Sequence, residues 1–483
     1  MGLFRCGNGR FFVVFLCILD WARTSSFTIR KDPVWILLLL FIVVVLIQLL
    51  PLPSPVLKFL SPSTYQLYQD ALPGYTHGNE PEDVVRKNAD GVSEVTVPAD
   101  SVAKAAGIFD NYVEGRKWRS ISINGHGTFT MLLKVLAYMG LFFVVVLFKW
   151  PMTRSGRMPF FTGLVWLIFF LGLFNALFFF IQKASGMRIM WLGPLAPPTG
   201  NCLGTFKAYN NFSEFLEMVV PLSMGLLILQ NYRETGKSFF RRSVVLSRIA
   251  SLFSKSGLLS FGIVLIISAL LLSLVTGGFV TFPITIFILF VFVIVSYRMH
   301  DRWPLVLFSL VIVMAAAYLF WLGIGPILHE LQFLFKDLGP QGRIVTYKDS
   351  LGIIRDFPIF GVGLGNWKDI ILKYHTMVGR ETWQPGIAYN DTLQLLAETG
   401  VLGAACVVSF LFLIFRKAIR ALRIGKDIMR RALILGGLAS MSAALIHCQF
   451  DYFFTLPSHA VVFAVVAAMT YRLSNEELRE TGY

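Results

Sequence analysis

Arg343 offers the clearest chemistry in the chain. It opens a stretch in which apolar residues recur at Ile344, Tyr347, Leu351 and Ile354, the spacing of one helical face, with Lys348, Asp349 and Arg355 off that face. A guanidinium at the start of a helix on a membrane surface can grip a lipid-linked diphosphate through two parallel hydrogen bonds. Lys348, Arg355, Lys368, Lys373 and Arg380 share the same loop with Lys336 and seven acids, so the loop is neutral overall. Any anion there must be held by individually placed side chains rather than by bulk charge. Gly361, Gly363 and Gly365, followed by Asn366, resemble half of a dinucleotide fingerprint, but that motif needs a preceding strand inside a βαβ unit. Here Pro358 ends a helix and the glycines follow, so the expectation is a turn that brings backbone close to a helix or a ligand. His447 and Asp451 stand four apart, which suits a hydrogen-bonded helical pair; one imidazole and one carboxylate make a poor metal site. Lys134, Glu214, Glu217 and Glu398 fall near the ends of apolar runs, where they can snorkel, and no proton relay or ion pathway is expected from them. Cys6, Cys17, Cys202, Cys406 and Cys448 form no CxxC pair and imply neither a disulfide scaffold nor a zinc site.

The elements that must position these groups are membrane helices. The 483 residues are 55% hydrophobic and 15% charged, against roughly 25% charged residues in soluble domains. This composition argues against a soluble multidomain enzyme, and 45 Phe argue against disorder. The basic excess of +15 on so apolar a chain points to a membrane protein with cationic loops, with no nucleic acid among its partners. Apolar runs near 34–50, 129–148, 159–181, 214–230, 259–275, 279–296, 305–325, 394–415, 433–449 and 458–472 predict an all-α polytopic membrane protein with about ten transmembrane helices. Residues 11–22 are apolar but short and contain Asp20; they read as interfacial, with an eleventh span as the alternative.

Segments 149–158, 231–258, 297–304 and 416–432 hold 18 Lys and Arg, whereas 182–213 and 450–457 hold 3, which places the first set in the cytoplasm. The basic excess is thereby assigned to the inner face. The chain then divides into an N-terminus, 1–33, a membrane core, 34–325, containing the external segment 51–128, a large, partly helical external loop, 326–393, C-terminal spans, 394–472, and a tail, 473–483. The external segment 51–128 is expected to be a small, loosely structured cap with a short strand at Glu94–Val97. In the larger loop, Asn390 is placed to cap a helix that starts at Asp391 and runs into the span from Leu395.

Several strings, in order, resemble the O-antigen ligase and polymerase family of bacterial membrane glycosyltransferases. They are Leu49 to Pro53 with Ser61-Pro62; Gly204 to Phe212, containing Asn210 and Asn211, with Phe215 to Met218 and Pro221; Arg343 to Asn366; Tyr389 to Gln394 with Glu398, Gly400 and Gly403; and His447 to Pro457, containing Asp451. The resemblance covers most of the chain from about residue 33, and the Arg343 to Asn366 string is its most specific part.

That resemblance implies transfer or polymerisation of a glycan from an undecaprenyl-diphosphate carrier at the periplasmic face of the bacterial inner membrane, in surface polysaccharide assembly. The acceptor is another glycan, lipid A core or a protein. Displacing a diphosphate from an anomeric carbon needs cations on the leaving group and a route for the acceptor proton. No metal and no cofactor is called for if arginines supply that charge. Two departures stand out. Thr276 occupies the place where the family usually has Arg, and Tyr389 stands where it usually has His before the closing Asn. A phenol with a pKa near 10 is a poor base at neutral pH, whereas imidazole near 6.5 is well matched. Arg343 is therefore the diphosphate ligand the resemblance implies, and Tyr389 and Asn390 line the reaction centre. His375 and Arg380 are candidates to replace the missing imidazole and arginine. The alternatives are a non-catalytic protein that binds lipid-linked glycan or scaffolds an export complex, and a glycolipid transporter.

Overall fold

The computed structural model describes residues 32–71, 118–148, 159–185, 203–235, 254–273, 275–297, 343–375 and 386–482. The expected span at 305–325, the stretch 11–22, the strand at 94–97 and Arg380 lie outside these residues. The described chain is 82% helical. Its helices are α1 (Pro33–Leu49), α2 (Ser54–Leu60), α3 (Pro62–Ala71), α4 (Gly125–Leu147), α5 (Pro159–Ser185), α6 (Tyr209–Thr235), α7 (Lys255–Leu272), α8 (Thr276–Tyr297), α9 (Arg343–Asp356), α10 (Trp367–Tyr374), α11 (Asp391–Ile424), α12 (Ile428–His447) and α13 (Pro457–Glu480). Two short antiparallel strands, β1 (Leu52–Pro53) and β2 (Trp118–Arg119), pair Leu52 with Arg119.

Among the described residues six helices, α4, α5, α6, α7, α11 and α12, are long and apolar enough to cross a membrane; α1 and the Thr281–Ser296 part of α8 are apolar but shorter. The expected number of about ten is therefore matched only in part. Two of the six form the centre of the bundle: 83% of the apolar window of α6 and 78% of that of α12 are buried, against 28–39% in the other four. Their close approach is built from glycines. A Cβ on Gly225 would stand 2.5 Å from the Ala432 carbonyl oxygen, and one on Gly436 would stand 3.2 Å from the Gly225 Cα. Pro221 interrupts the hydrogen bonding of α6, and Ser440 Oγ on α12 donates to the nearby Met218 carbonyl at 2.8 Å. The outer helices expose apolar side chains such as Leu39, Phe170, Phe261 and Phe412, as a chain facing hydrocarbon does. α1 and α13 pack against α11, and Asp32, the α1 N-cap, ties all three together by accepting hydrogen bonds from Lys417 and Tyr471.

Two expectations need correction. The described part of the 51–128 segment is helical and ordered by side-chain bonds, such as Tyr68 Oη to the Ser122 carbonyl at 3.1 Å, rather than loose. In α9 the buried face is Val345, Thr346, Asp349, Ser350 and Ile353, while Leu351 and Ile344 are exposed. Polar neighbours explain the difference, since the Trp367 indole N–H donates to Ser350 Oγ at 3.0 Å and gives that face partners that an apolar count overlooks.

Candidate functional site

Four of the strings singled out in the sequence meet at one end of the bundle: the N-terminus of α9, the start of α11, the turn between α12 and α13, and the entry to α6. Arg343, the first residue of α9, donates through Nη1 to the Phe450 carbonyl and through Nη2 to Asp451 Oδ2 at 3.3 Å. Its guanidinium also lies 5.1 Å from the centre of the Tyr389 ring, a cation–π distance. Asn210 Nδ2 donates to the same Asp451 oxygen. Asp451 is thus held from two sides and fixes the orientation of the arginine, whose side chain remains 20% exposed.

Tyr389 adopts φ +53, the one left-handed non-glycine residue among those described. That conformation costs an aromatic residue about 1–2 kcal/mol and persists only where the surroundings impose it. Here they do, because the Tyr347 hydroxyl donates to the Tyr389 carbonyl at 2.9 Å and Tyr452 packs edge-on against the ring. Burial and the adjacent Asp451 push the Tyr452 hydroxyl up to about 12, so it stays protonated at neutral pH. Asn390 caps α11 as its position suggested: Oδ1 accepts from the Leu393 N–H at 2.9 Å, and Nδ2 donates to the Gln449 carbonyl at 2.9 Å. Asp391 accepts from the Phe453 and Phe454 amides at 2.8 Å each, locking the last turn onto the start of α11.

The glycine turn is not at this centre but beneath it. Gly361, Gly363 and Gly365 all have positive φ, and a Cβ on Gly361 would meet Glu398 and Ala397 backbone atoms at 2.4–2.6 Å. The turn wraps the Glu398 carboxylate, which accepts from the Gly365 amide at 2.8 Å and the Trp367 amide at 3.4 Å. Gln48 pins it from α1, accepting from the Leu364 amide at 3.1 Å and donating to the Glu398 carbonyl at 2.8 Å. Asn366 is fully buried and bonds Ser122 and Thr128 at 2.9 and 3.1 Å. These residues build the platform that carries α9 and α10.

His375 does not join Arg343. It caps the C-terminus of α10, tucked in rather than solvent-exposed, with Nδ1 3.6 Å from Asp349 Oδ2. Asn211 is buried, and its carbonyl accepts from His459 Nε2 at 3.0 Å. Where the sequence suggested a helical pair, the His447 and Asp451 side chains turn to different partners: Asp451 to Arg343, and His447 Nδ1 to Glu217 Oε2 at 3.0 Å.

Sequence reasoning passed over the group that lies directly under Asp451. Glu214 and Glu217 do not snorkel; both are 1% exposed. Glu217 accepts from Thr281 Oγ1 at 2.6 Å and from Ser213 Oγ at 3.2 Å, and Glu214 Oε1 lies 3.4 Å from His447 Nε2. The start of α8 closes the group, since a Cβ on Gly278 would stand 2.3 Å from Ser213 Oγ. The i, i+3 spacing of Glu214 and Glu217, which puts both on one helix face, was the available signal.

No curated protein matches the chain. The O-antigen ligase family model matches residues 261–408, a stretch that begins in α7 and runs through Arg343, the glycine turn and Tyr389 into α11. The resemblance carried by the ordered motifs is therefore shown over that stretch, in a multi-pass membrane protein whose residues 261–408 match the O-antigen ligase family model.

Proposed function

We propose that the protein transfers or polymerises a glycan from an undecaprenyl-diphosphate carrier at the periplasmic face of the inner membrane, in the assembly of O-antigen, capsule or exopolysaccharide. The reading takes the chain as a protein of about ten spans with its 18-residue basic set on the cytoplasmic side. The observation that carries it is the setting of Arg343: inside the matched region, partly exposed, and oriented by Asp451 and the Tyr389 ring. In the reaction the acceptor hydroxyl oxygen forms a bond to the anomeric carbon, the bond from that carbon to the diphosphate breaks, the diphosphate leaves with the electron pair, and the hydroxyl proton passes to the departing diphosphate or to water. Arg343 stabilises the charge that builds on the leaving oxygens. Tyr389 and Asn390 shape the edge of the centre; Asn390, with both ends of its amide bonded, acts by holding the backbone there. A cavity of about 310 Å³ also supports the reading. It is lined mainly by apolar residues, among them Leu38, Phe41, Phe142, Phe410 and Phe463, and reaches Asp391 and Phe454 beside the Arg343 cluster. Such a groove suits part of a polyisoprenyl tail whose diphosphate lies at Arg343.

The test is the surface-glycan ladder. Arg343→Ala should abolish it at unchanged protein level, and Arg343→Lys should restore only part, because an ammonium lacks the two-pronged geometry. An unchanged ladder with Arg343→Ala refutes the assignment. Thr276 and Tyr389, which stand where the resemblance implies Arg and His, favour a second reading in which the protein binds lipid-linked glycan without transferring it. Purified protein that binds carrier-linked glycan yet transfers it to no acceptor would establish that reading.

A further inference from the structure

The buried group under Asp451 has the layout of a cation site. Neither carboxylate oxygen of Glu214 takes part in a hydrogen bond among the described residues, and the same holds for His447 Nε2; both residues are 1% exposed. These atoms face one another, with Nε2 3.4 Å from Glu214 Oε1. Ligands about 2.0–2.1 Å from a tetrahedral ion stand about 3.4 Å apart, so this separation is that of two donors sharing one ion. Asp451 completes the set, since one ligand atom from each of Glu214, His447 and Asp451 lies within 4.8 Å of the others.

The opposite side of the imidazole supplies an independent argument. His447 Nδ1 lies 3.0 Å from Glu217 Oε2, and that carboxylate is itself fixed by Thr281 and Ser213. A carboxylate that orients one ring nitrogen while the other points at further ligands is the outer-shell arrangement of metal-bound histidine. Gly277 leaves the ring edge accessible, because a Cβ there would stand 3.0 Å from Nε2 and 3.1 Å from Cε1. His459 also approaches Glu214 Oε2, at 3.7 Å, but its Nε2 donates to the Asn211 carbonyl and is thereby committed.

We propose that Glu214, His447 and Asp451 bind one divalent transition-metal ion, with Glu217 as the carboxylate that orients His447. One imidazole with two carboxylates suits zinc or manganese. The ion fixes Asp451 in the position from which it holds Arg343. The proposal stands on the geometry of the buried group and does not rest on the glycan reading.

The test uses the full chain, tag-free in detergent, stripped with chelator, loaded with Zn²⁺ and desalted. Elemental analysis should find about one zinc per chain. X-ray absorption should show a nitrogen and oxygen shell with a single imidazole and no sulfur. Glu214→Gln and His447→Gln should retain less than about a tenth of the metal, and Glu217→Gln should weaken binding about 10–100-fold, the usual effect of losing an outer-shell carboxylate. Because the absorption measurement uses the unsubstituted protein, it decides the matter even where a variant fails to fold. Retention below about a tenth of an equivalent by the unsubstituted chain would overturn the proposal, because structural sites of this kind bind tightly. A shell containing sulfur or several imidazoles, or full retention by Glu214→Gln, would overturn it as well.

Discussion

Glu398 is the residue on which the platform under Arg343 depends, and its removal has a calculable effect. The side chain is 4% exposed and accepts three hydrogen bonds, from the Gly365 amide at 2.8 Å, the Trp367 amide at 3.4 Å and Gln394 Nε2 at 3.0 Å. Glu398→Ala leaves one buried and two partly buried donors without an acceptor, each costing about 1–3 kcal/mol. The Gly365 and Gln394 donors are only partly buried, so the lower figure applies. The local penalty is then about 3 kcal/mol, which is more than a hundredfold in the opening equilibrium of the turn. Glu398→Gln keeps one acceptor oxygen and should cost about 1–2 kcal/mol, or about tenfold. Hydrogen exchange of the detergent-solubilised protein measures both. Peptides covering residues 364–368 should exchange more than about a hundredfold faster in the alanine variant and about tenfold faster in the glutamine variant. The Val362 amide, bonded to the Ala397 carbonyl at 3.0 Å by backbone alone, should change less and serves as the internal reference. Equal protection of the turn in all three proteins would refute the view that this carboxylate organises it.

Other outcomes follow from the packing. Gly225→Val forces a branched side chain to within 2.5 Å of the Ala432 carbonyl, and the overpacking, about 1–3 kcal/mol or more, should lower the thermal midpoint by several degrees, with Gly225→Ala intermediate. Burial works against ionisation of Asp32, but the hydrogen bonds from Lys417 and Tyr471 hold its carboxyl below the ordinary value. Its contribution to stability is therefore complete above the unfolded pKa near 3.9 and is lost as pH falls through the lower folded value. The difference in thermal midpoint between the unsubstituted chain and Asp32→Asn should be flat from about pH 5 to 8 and shrink only on strong acidification. A difference that instead grows toward low pH would show that the ion pair does not hold α1 to α11 and α13.

What the sequence made legible was whatever repeats along one helix. Nine of the ten apolar runs coincide with helices, and the cap at Asn390 and the stop before Pro358 fall where the residue types place them. The face of α9 was misread because Ser350 and Asp349 are buried by partners, Trp367 and His375, that lie 17 and 26 residues further along. Hydropathy ranks a residue by its own chemistry, whereas burial of a polar group depends on who bonds it. The same reason hid the purpose of the glycine turn. Its spacing suggested close approach to something, and that something is Glu398, a carboxylate 33 residues away in sequence from Gly365.

The buried group under Asp451 shows where single-helix reasoning fails in a consequential way. Taken separately, Glu214 and Glu217 are acids near a span end, His447 ends α12, and Gly277 begins α8, and each has an ordinary explanation. Only the crossing of α6, α8 and α12 puts them together, and that crossing requires glycines at the helix contacts and a proline in α6. Once assembled, the group constrains Arg343 from below: Asp451 can hold the guanidinium only while its own position is set by Asn210 and by the charges behind it. A change at Glu214 or Gly277 therefore acts on the arginine without touching it. Glu214→Gln should weaken the glycan ladder in the same direction as Arg343→Lys, whereas a substitution at exposed Phe412 on α11 should leave it unchanged. If Glu214→Gln gave a full ladder from a stably folded protein, Asp451 would be held by Asn210 and backbone alone, and the buried charges would serve packing rather than the site.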